Sequence, residues 1–273
     1  MDLKDIELTP YSFSGSVPEH YDRVLGPMFF EPYAIEISKR IDPSIAKLVL
    51  EIGSGTGRVT AHLRKVISPS AKLIGSDISE DMLAIAKDKL KELDIEWRII
   101  DAQQLPFDDD SIDVIVCCFC YMFVPDKYKA FAEAYRVLRS GGMLMFSTWD
   151  KLELNCASFT YRRIVKKLFL DPLPESYNLP FSMNDQDAIK KIMQETGFSK
   201  IVVESVDKES YSQTAAEAAD GLARGGTIYN EIMKHDPSLV EVIIKELEKE
   251  LSEKFGASPM IASMRAVVCQ AWK

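Results

Sequence analysis

The chain reads as an α/β fold built on an open, mostly parallel sheet, and three observations carry that reading. Apolar runs alternate with stretches of helical periodicity from residue 47 to residue 149, and alternating β and α implies right-handed crossovers onto a parallel sheet. The first run, Leu48-Val49-Leu50-Glu51-Ile52, passes directly into Gly53-Ser54-Gly55-Thr56-Gly57-Arg58. Glycine is required where backbone takes positive φ or comes into contact with a ligand. The second run closes on Asp77, where open nucleotide-binding sheets place an acid whose two oxygens take both ribose hydroxyls.

Residues 1–32 hold Pro10-Tyr11-Ser12-Phe13-Ser14-Gly15, Glu19-His20-Tyr21-Asp22-Arg23 and Gly26-Pro27-Met28-Phe29-Phe30, and read as a loop with short helical pieces. Ala34, Ile35, Ile37, Ile41 and Ile45 predict a helix over 32–45. Strand one is expected at 47–52, then a helix carrying Val59, Leu63, Val66 and Ile67, then strand two at 72–77. Ser79 can cap the next helix, with Glu80 and Asp81 at the positive end of its dipole and Met82, Leu83, Ile85, Ala86, Leu90 and Leu93 buried. Strands three, four and five are expected at 96–100, 113–118 and 143–147, with a helix over 128–138 ended by Ser140-Gly141-Gly142.

After Asp150 the rhythm breaks. A helix over 158–169, a turn at Asp171-Pro172-Leu173-Pro174, a helix from Asn184-Asp185 to Gly197 and a sixth strand at 200–204 are expected. Residues 212–258 read as helical, with Leu239, Ile243, Leu247, Leu251 and Phe255 as a core stripe and Glu241–Lys245 and Glu250–Lys254 as outward pairs. A seventh strand follows at 261–272.

Composition narrows the function. With 47% hydrophobic and 27% charged residues the chain has an ordinary globular composition, and a net charge of −9 argues against a nonspecific polyanion binder. Tyr161-Arg162-Arg163-Ile164-Val165-Lys166-Lys167 is a local basic stretch that reads as a solvated helix face. The acidic N-terminus lacks an apolar signal core, no run approaches the ~20 apolar residues of a membrane span, and the 5 cysteines do not look like a disulfide framework. A cytoplasmic protein with no nucleic-acid or membrane partner is expected. Cys117, Cys118 and Cys120 raise the question of a metal, but 118 and 120 would share one face of a strand and 117 the other, so none is expected.

The glycine spacing differs from the dinucleotide fingerprint, because the third glycine arrives one residue early. Glu51 just before the loop would repel phosphates and suits an ammonium and a sulfonium. The segment resembles motif I of the class I S-adenosylmethionine-dependent methyltransferases. Ile99-Ile100-Asp101-Ala102-Gln103-Gln104-Leu105-Pro106-Phe107 resembles the family's next motif, and Arg136-Val137-Leu138-Arg139-Ser140-Gly141-Gly142 its segment before strand five. The likeness runs over 45–149. Tyr21-Asp22-Arg23, Phe29-Phe30-Glu31-Pro32-Tyr33, Phe119–Asp126, Pro180-Phe181-Ser182-Met183 and 184–198 resemble methyltransferase type 11 and ubiquinone-biosynthesis-like small-molecule members.

The resemblance implies a Rossmann-like, seven-stranded, mostly parallel sheet with an antiparallel last strand beside the fifth, helices on both faces, and helical cap and lid insertions. It divides the chain into a lid segment (1–32), a cofactor-binding core (33–150), a cap insertion (151–183), a core helix and strand (184–211), a helical cap insertion (212–258) and a last core strand (259–273). It implies S-adenosylmethionine as cofactor and a small-molecule acceptor whose nucleophilic atom attacks the sulfonium methyl in an SN2 displacement, with S-adenosylhomocysteine as the leaving product. The residues it implies at the cofactor are Tyr21, over the methionyl end, Glu51, Gly53, Ser54, Gly55, Gly57, Asp77, Ile78, Met82, Asp101 with Ala102 and Gln103 at the adenine, and Cys117 and Cys118 near the methionine. His20, Tyr121 and Asp150 are candidates for a base, and none is assigned. Phe159, Tyr161, Phe169, Tyr177, Phe181, Tyr229 and Met233 favour a partly apolar acceptor. A nicotinamide-dependent oxidoreductase is the alternative enzyme reading, opposed by the glycine spacing and Glu51. A non-catalytic S-adenosylmethionine-binding protein is the other.

Overall fold

The computed structural model describes residues 13, 15–168, 173 and 175–273. Parts of the sequence reading that fall on 1–12, 14, 169–172 and 174, including Phe169 and most of the Asp171–Pro174 turn, lie outside the described residues. In chain order the elements are α1 (Val17–His20), a π-helix (Tyr21–Phe30), α2 (Glu31–Lys39), β1 (Leu48–Ile52), α3 (Arg58–Val66), β2 (Lys72–Asp77), α4 (Glu80–Lys89), β3 (Glu96–Ile99), β4 (Ile112–Cys118), α5 (Lys127–Val137) and β5 (Leu138–Trp149). Then come α6 (Cys156–Leu168), α7 (Gln186–Glu195), β6 (Ser199–Ser212), α8 (Ala215–Arg224), α9 (Tyr229–His235), α10 (Leu239–Phe255) and β7 (Met260–Trp272).

One seven-stranded sheet has the order β3-β2-β1-β4-β5-β7-β6. The first five strands are parallel, and β7 runs antiparallel to both β5 and β6. The chain leaves β3 at one edge and returns beside β1 as β4, so the order reverses between β1 and β4. Crevices at the carboxyl ends of strands open at such reversals. Side chains alternate across the sheet as the pleat requires. Val49, Val114, Val116, Met143 and Met145 face α2 and α3, while Leu50, Ile115, Cys117, Leu144 and Phe146 join the larger core on the other side. Ile243, Leu247 and Leu251 of the α10 stripe are fully buried there. Glu250 pairs with Lys254 at 2.8 Å, whereas Glu241 turns to Arg224. Among the described residues no helix is long and apolar enough to cross a membrane.

Four boundaries differ from the sequence reading. Residues 17–30 are continuously helical, where a loop with short helical pieces is expected, and run without a break into the helix expected from 32. The helix expected to reach 45 stops at Lys39, three residues ahead of Asp42-Pro43, because the residue before a proline is pushed out of the α region. The strand after α5 begins immediately at Leu138, and Ser140-Gly141-Gly142 lies inside β5 as a bulge: Ile112 pairs with Leu138, but Val114 already pairs with Met143. Finally, β6 has 14 residues, far beyond the segment predicted at 200–204, because its outer half pairs with β7 beyond the end of β5.

The helical run is wide at its centre for a local reason. Pro27 has no N–H, so in π register the Asp22 carbonyl loses its partner five residues on. Arg58 Nη2 donates to that carbonyl at 3.0 Å. The same guanidinium pairs with the Asp22 carboxylate at 3.5 Å and the Glu31 carboxylate at 2.8 Å. His62 Nε2 meets the other Glu31 oxygen at 2.7 Å, and Lys89 reaches Asp22. Gly26 lets the segment lie against this guanidinium, since a Cβ there would come within 2.4 Å of Nη2. Burial works to raise both acids, but their cationic partners win and hold Asp22 and Glu31 below the usual carboxylate range.

Arg58 is about one-fifth exposed, so its pairs rank between surface and buried ones. Arg58→Met should cost about 1–3 kcal/mol by denaturant unfolding, with amide exchange rising first over 17–39. Because both acids are depressed, this contribution is present at neutral pH and lost as pH falls through their folded values. The wild-type and variant curves should therefore converge in acid.

Candidate functional site

The loop after β1 turns three times through left-handed backbone, with φ of 68° at Gly53, 54° at Gly55 and 79° at Gly57. Gly53 is also crowded: a Cβ would meet the Cys120 Cβ at 2.4 Å. Ser54 N–H bonds the Ser76 carbonyl of β2 at 2.8 Å, which ties the loop to the neighbouring strand. Gly57 caps α3.

Asp77, at the end of β2, braces this loop. One carboxylate oxygen accepts from Gly55 N–H at 2.8 Å and the other from Ser79 N–H at 2.9 Å. Each oxygen keeps a further lone pair for a ligand. Burial raises its pKa. Asp101, at the adjacent strand end, accepts from Gln103 N–H at 2.8 Å and from the Gln103 amide at 3.2 Å. Ile100 N–H bonds the Asp77 carbonyl at 3.3 Å, which sets the two strand ends side by side. Ile78 beside them is 47% exposed, an apolar side chain left open at the cleft, while Met82 and Ala102 are buried beneath.

A cavity of about 30 Å³ lies over the loop, lined by Tyr21, Phe30, Glu51, Gly53, Ser54, Gly55, Thr56, Arg58, Val59, Cys118 and Phe119. Glu51 Oε2, Ser54 Oγ and Thr56 Oγ1 are buried there without hydrogen-bond partners. Burial, and next to it the Asp77 charge, pushes the Glu51 carboxyl up to about 8. Tyr21 stacks on Phe30 at 5.0 Å to form the roof. Phe30 meets Phe119 at 5.4 Å, and Phe119 stacks on Trp149 at 4.2 Å. Phe119 holds φ of 53°, a left-handed conformation costly for a bulky residue and concentrated at functional sites.

Of the residues singled out from sequence, Tyr21, Glu51, Gly53, Ser54, Gly55 and Cys118 line this one cavity. Gly57, Asp77, Ile78, Met82, Asp101, Ala102 and Gln103 flank it along the loop and strand ends. Cys117 does not join them: it is fully buried on the core side, with Cys120 as its thiol neighbour. The expected sharing of a face by 118 and 120 also fails, because the strand ends at Cys118 and the chain turns before Cys120. His20 lies 3.5 Å from Asp220, Tyr121 is sealed in the core, and Asp150 accepts from Ser205 and Lys151. Phe30, Thr56, Arg58, Val59 and Phe119 had no assigned role in the sequence. Phe119 had one usable signal, its place directly after β4.

The raised Glu51 pKa has a definite sign. The folded protein holds a proton that the unfolded chain releases from about 4.5 upward, so this carboxyl costs stability increasingly as pH rises from about 4.5 to about 8, and the cost is constant above that. Glu51→Gln should melt at a higher temperature than wild type in alkaline buffer. The gap should close below the ordinary carboxylate pKa, checked by calorimetric scans across pH.

A family model described as a methyltransferase domain matches residues 50–146. The chain is 33% identical over 164 residues to the ubiquinone/menaquinone biosynthesis C-methyltransferase UbiE of Vibrio vulnificus, covering 55% of this chain and 63% of the relative. The chain thus spans under two thirds of the length of that relative. It is 31% identical over 185 residues to the protein of the same name from Escherichia coli, covering 63% and 71%. Among solved structures, phosphoethanolamine N-methyltransferase 2 of Haemonchus contortus, in complex with phosphomonomethylethanolamine and S-adenosylhomocysteine, superposes with a TM-score of 0.62 at 19% identity, covering 100% of this chain and 60% of that one. That likeness is one of fold.

Proposed function

Because this chain belongs to the class I S-adenosylmethionine-dependent methyltransferases, we propose that its cleft binds S-adenosylmethionine and offers the sulfonium methyl to a small, partly apolar acceptor, with release of S-adenosylhomocysteine. The observation that carries this reading is the set of unspent polar atoms around one cleft. Glu51 Oε2, Ser54 Oγ and Thr56 Oγ1 are buried orphans at one end and suit the ammonium and carboxylate of a methionyl group. The spare lone pairs of Asp77 suit two ribose hydroxyls, and Asp101, fixed by Gln103, suits an adenine amino group. Ile78 supplies an apolar wall for the base.

When bound, the cofactor supplies an electrophilic methyl on a good leaving group. The protein's share is alignment and water exclusion, worth at most ~7–11 kcal/mol for ideal orientation. Tyr21, Phe30, Phe119 and Trp149 form an aromatic wall suited to a cation and to an apolar acceptor. The 30 Å³ under Tyr21 and Phe30 has room for about two waters, so the helical run 17–39 must lift to admit the methionyl end. Tyr121 is sealed in the core, and neither His20 nor Asp150 is assigned as a base. The names of the UbiE relatives support carbon as the first acceptor atom to try.

Calorimetry should find micromolar S-adenosylmethionine and S-adenosylhomocysteine binding and none of NAD⁺; NAD⁺ binding without a response to S-adenosylmethionine overturns the reading. Asp77→Ala should weaken S-adenosylmethionine at least tenfold, with Asp77→Asn intermediate. An ammonium needs the Glu51 carboxylate ionised, so affinity should tighten as pH rises toward about 8. That slope should vanish in Glu51→Gln.

A further inference from the structure

The basic stretch on α6 divides into paired and unpaired cations. Arg163 pairs with Glu250 and Lys167 with Glu246 of α10, on the solvated face. Arg162 points the other way. It is 5% exposed, and its Nη1 has no hydrogen-bond partner. Among the described residues no carboxylate pairs with it. Its guanidinium lies over two rings, 5.2 Å from the Tyr177 centroid and 5.1 Å from that of Phe181. Tyr177 donates to the Arg162 carbonyl at 2.7 Å, which fixes that ring in place. The hydroxyl of Tyr161, next in the chain, is also buried and unpartnered. Glu231, whose charge acts on Tyr161, accepts from Ser176 N–H at 3.1 Å.

A chain of buried ring contacts links this group to the cavity. The Phe181 ring is 6.4 Å from Trp149, and Trp149 stacks on Phe119, which lines the cavity over the glycine loop. A buried charge without a counterion is costly, and burial pushes the Arg162 pKa down to about 10. A methionine would fill the same space between two rings without that cost. The retained fork and its free N–H are explained by an anion that arrives from outside.

We propose that Arg162, held between Tyr177 and Phe181, recognises a planar oxyanion, a carboxylate or phenolate, on the acceptor molecule and orients its apolar body along Phe181 and Trp149 toward the methyl donor. The inference rests on the methyltransferase reading and names the acceptor class for that site. It also fits a cleft without an assigned base, since such an acceptor brings its own negative charge.

The test uses the full chain saturated with S-adenosylhomocysteine, with benzoate against benzamide and ionised 4-nitrophenolate against nitrobenzene as probes in calorimetry. At least one anion should bind tenfold or more tighter than its neutral counterpart, and which one does separates carboxylate from phenolate. Arg162→Met should abolish that preference without changing S-adenosylhomocysteine affinity, and Arg162→Lys, which keeps the charge but loses the fork, should retain part of it. Equal binding of anion and neutral probe, no binding of either anion, or a preference that survives Arg162→Met overturns the proposal. Failure of wild type to bind S-adenosylhomocysteine overturns the methyltransferase reading itself, and is seen before any probe is added. Melting temperature gives a second readout: a guanidinium kept for packing alone should make Arg162→Met melt well below wild type, which would also overturn the proposal.

Discussion

The ion-paired guanidinium of Arg58 joins the two halves of the site. It is the first residue of α3, so its backbone belongs to the glycine loop, while its side chain holds both ends of the π-helical segment through Asp22 and Glu31. Loop and roof therefore share one anchor. The segment it holds carries Tyr21 and Phe30, the two rings that close the cleft. The missing N–H of Pro27 makes this dependence specific. The carbonyl that a π-helix leaves without a partner at that point is satisfied by a group outside the helix, so helix geometry and site closure are set by the same contact.

Where one side-chain pattern dominated locally, the sequence was sufficient. The strand two boundaries, the Ser79 cap and the α10 stripe all appear as expected, and the antiparallel β7 beside β5 follows what the methyltransferase resemblance implied. Glu51 and the glycine loop line one cavity and Asp77 braces that loop, because β1 and β2 are neighbours in register and end side by side. Features set by distant partners were not legible. The π-helix has a proline and a glycine in a stretch that reads as loop, and its support comes from Arg58. Most of β6 is exposed, so its hydrophobic alternation is weak and its length is set by pairing with β7. Cys117 was placed at the cleft by its position beside Cys118, but adjacent residues in a strand face opposite sides.

The cap residues show the same limit. Of the aromatic and apolar side chains expected to line a pocket, Tyr161, Tyr177 and Phe181 are buried, but Phe159 and Met233 are 39% and 40% exposed and face outward. The basic stretch was read as a solvated face, which holds for Arg163 and Lys167 and fails for Arg162. The sequence read all four cations as one solvated face, and only the packed structure distinguishes Arg162 on the inner side.

The outer strand β6 has a consequence for how this molecule stands beside its own kind. A 14-residue edge offers a long row of unpaired backbone groups, the geometry on which sheets extend from one molecule to the next. Here the edge is studded with Lys200, Glu204, Asp207, Lys208 and Glu209. Glu204 is engaged by Arg40, Lys208 by Glu36 at 2.8 Å and Asp207 by Arg265 at 2.6 Å. A foreign strand would have to dislodge these pairs and bury their charges before it gained a ladder of hydrogen bonds. The long ribbon thus protects itself against self-assembly, and neutralising these charges would expose the protein to aggregation through that edge.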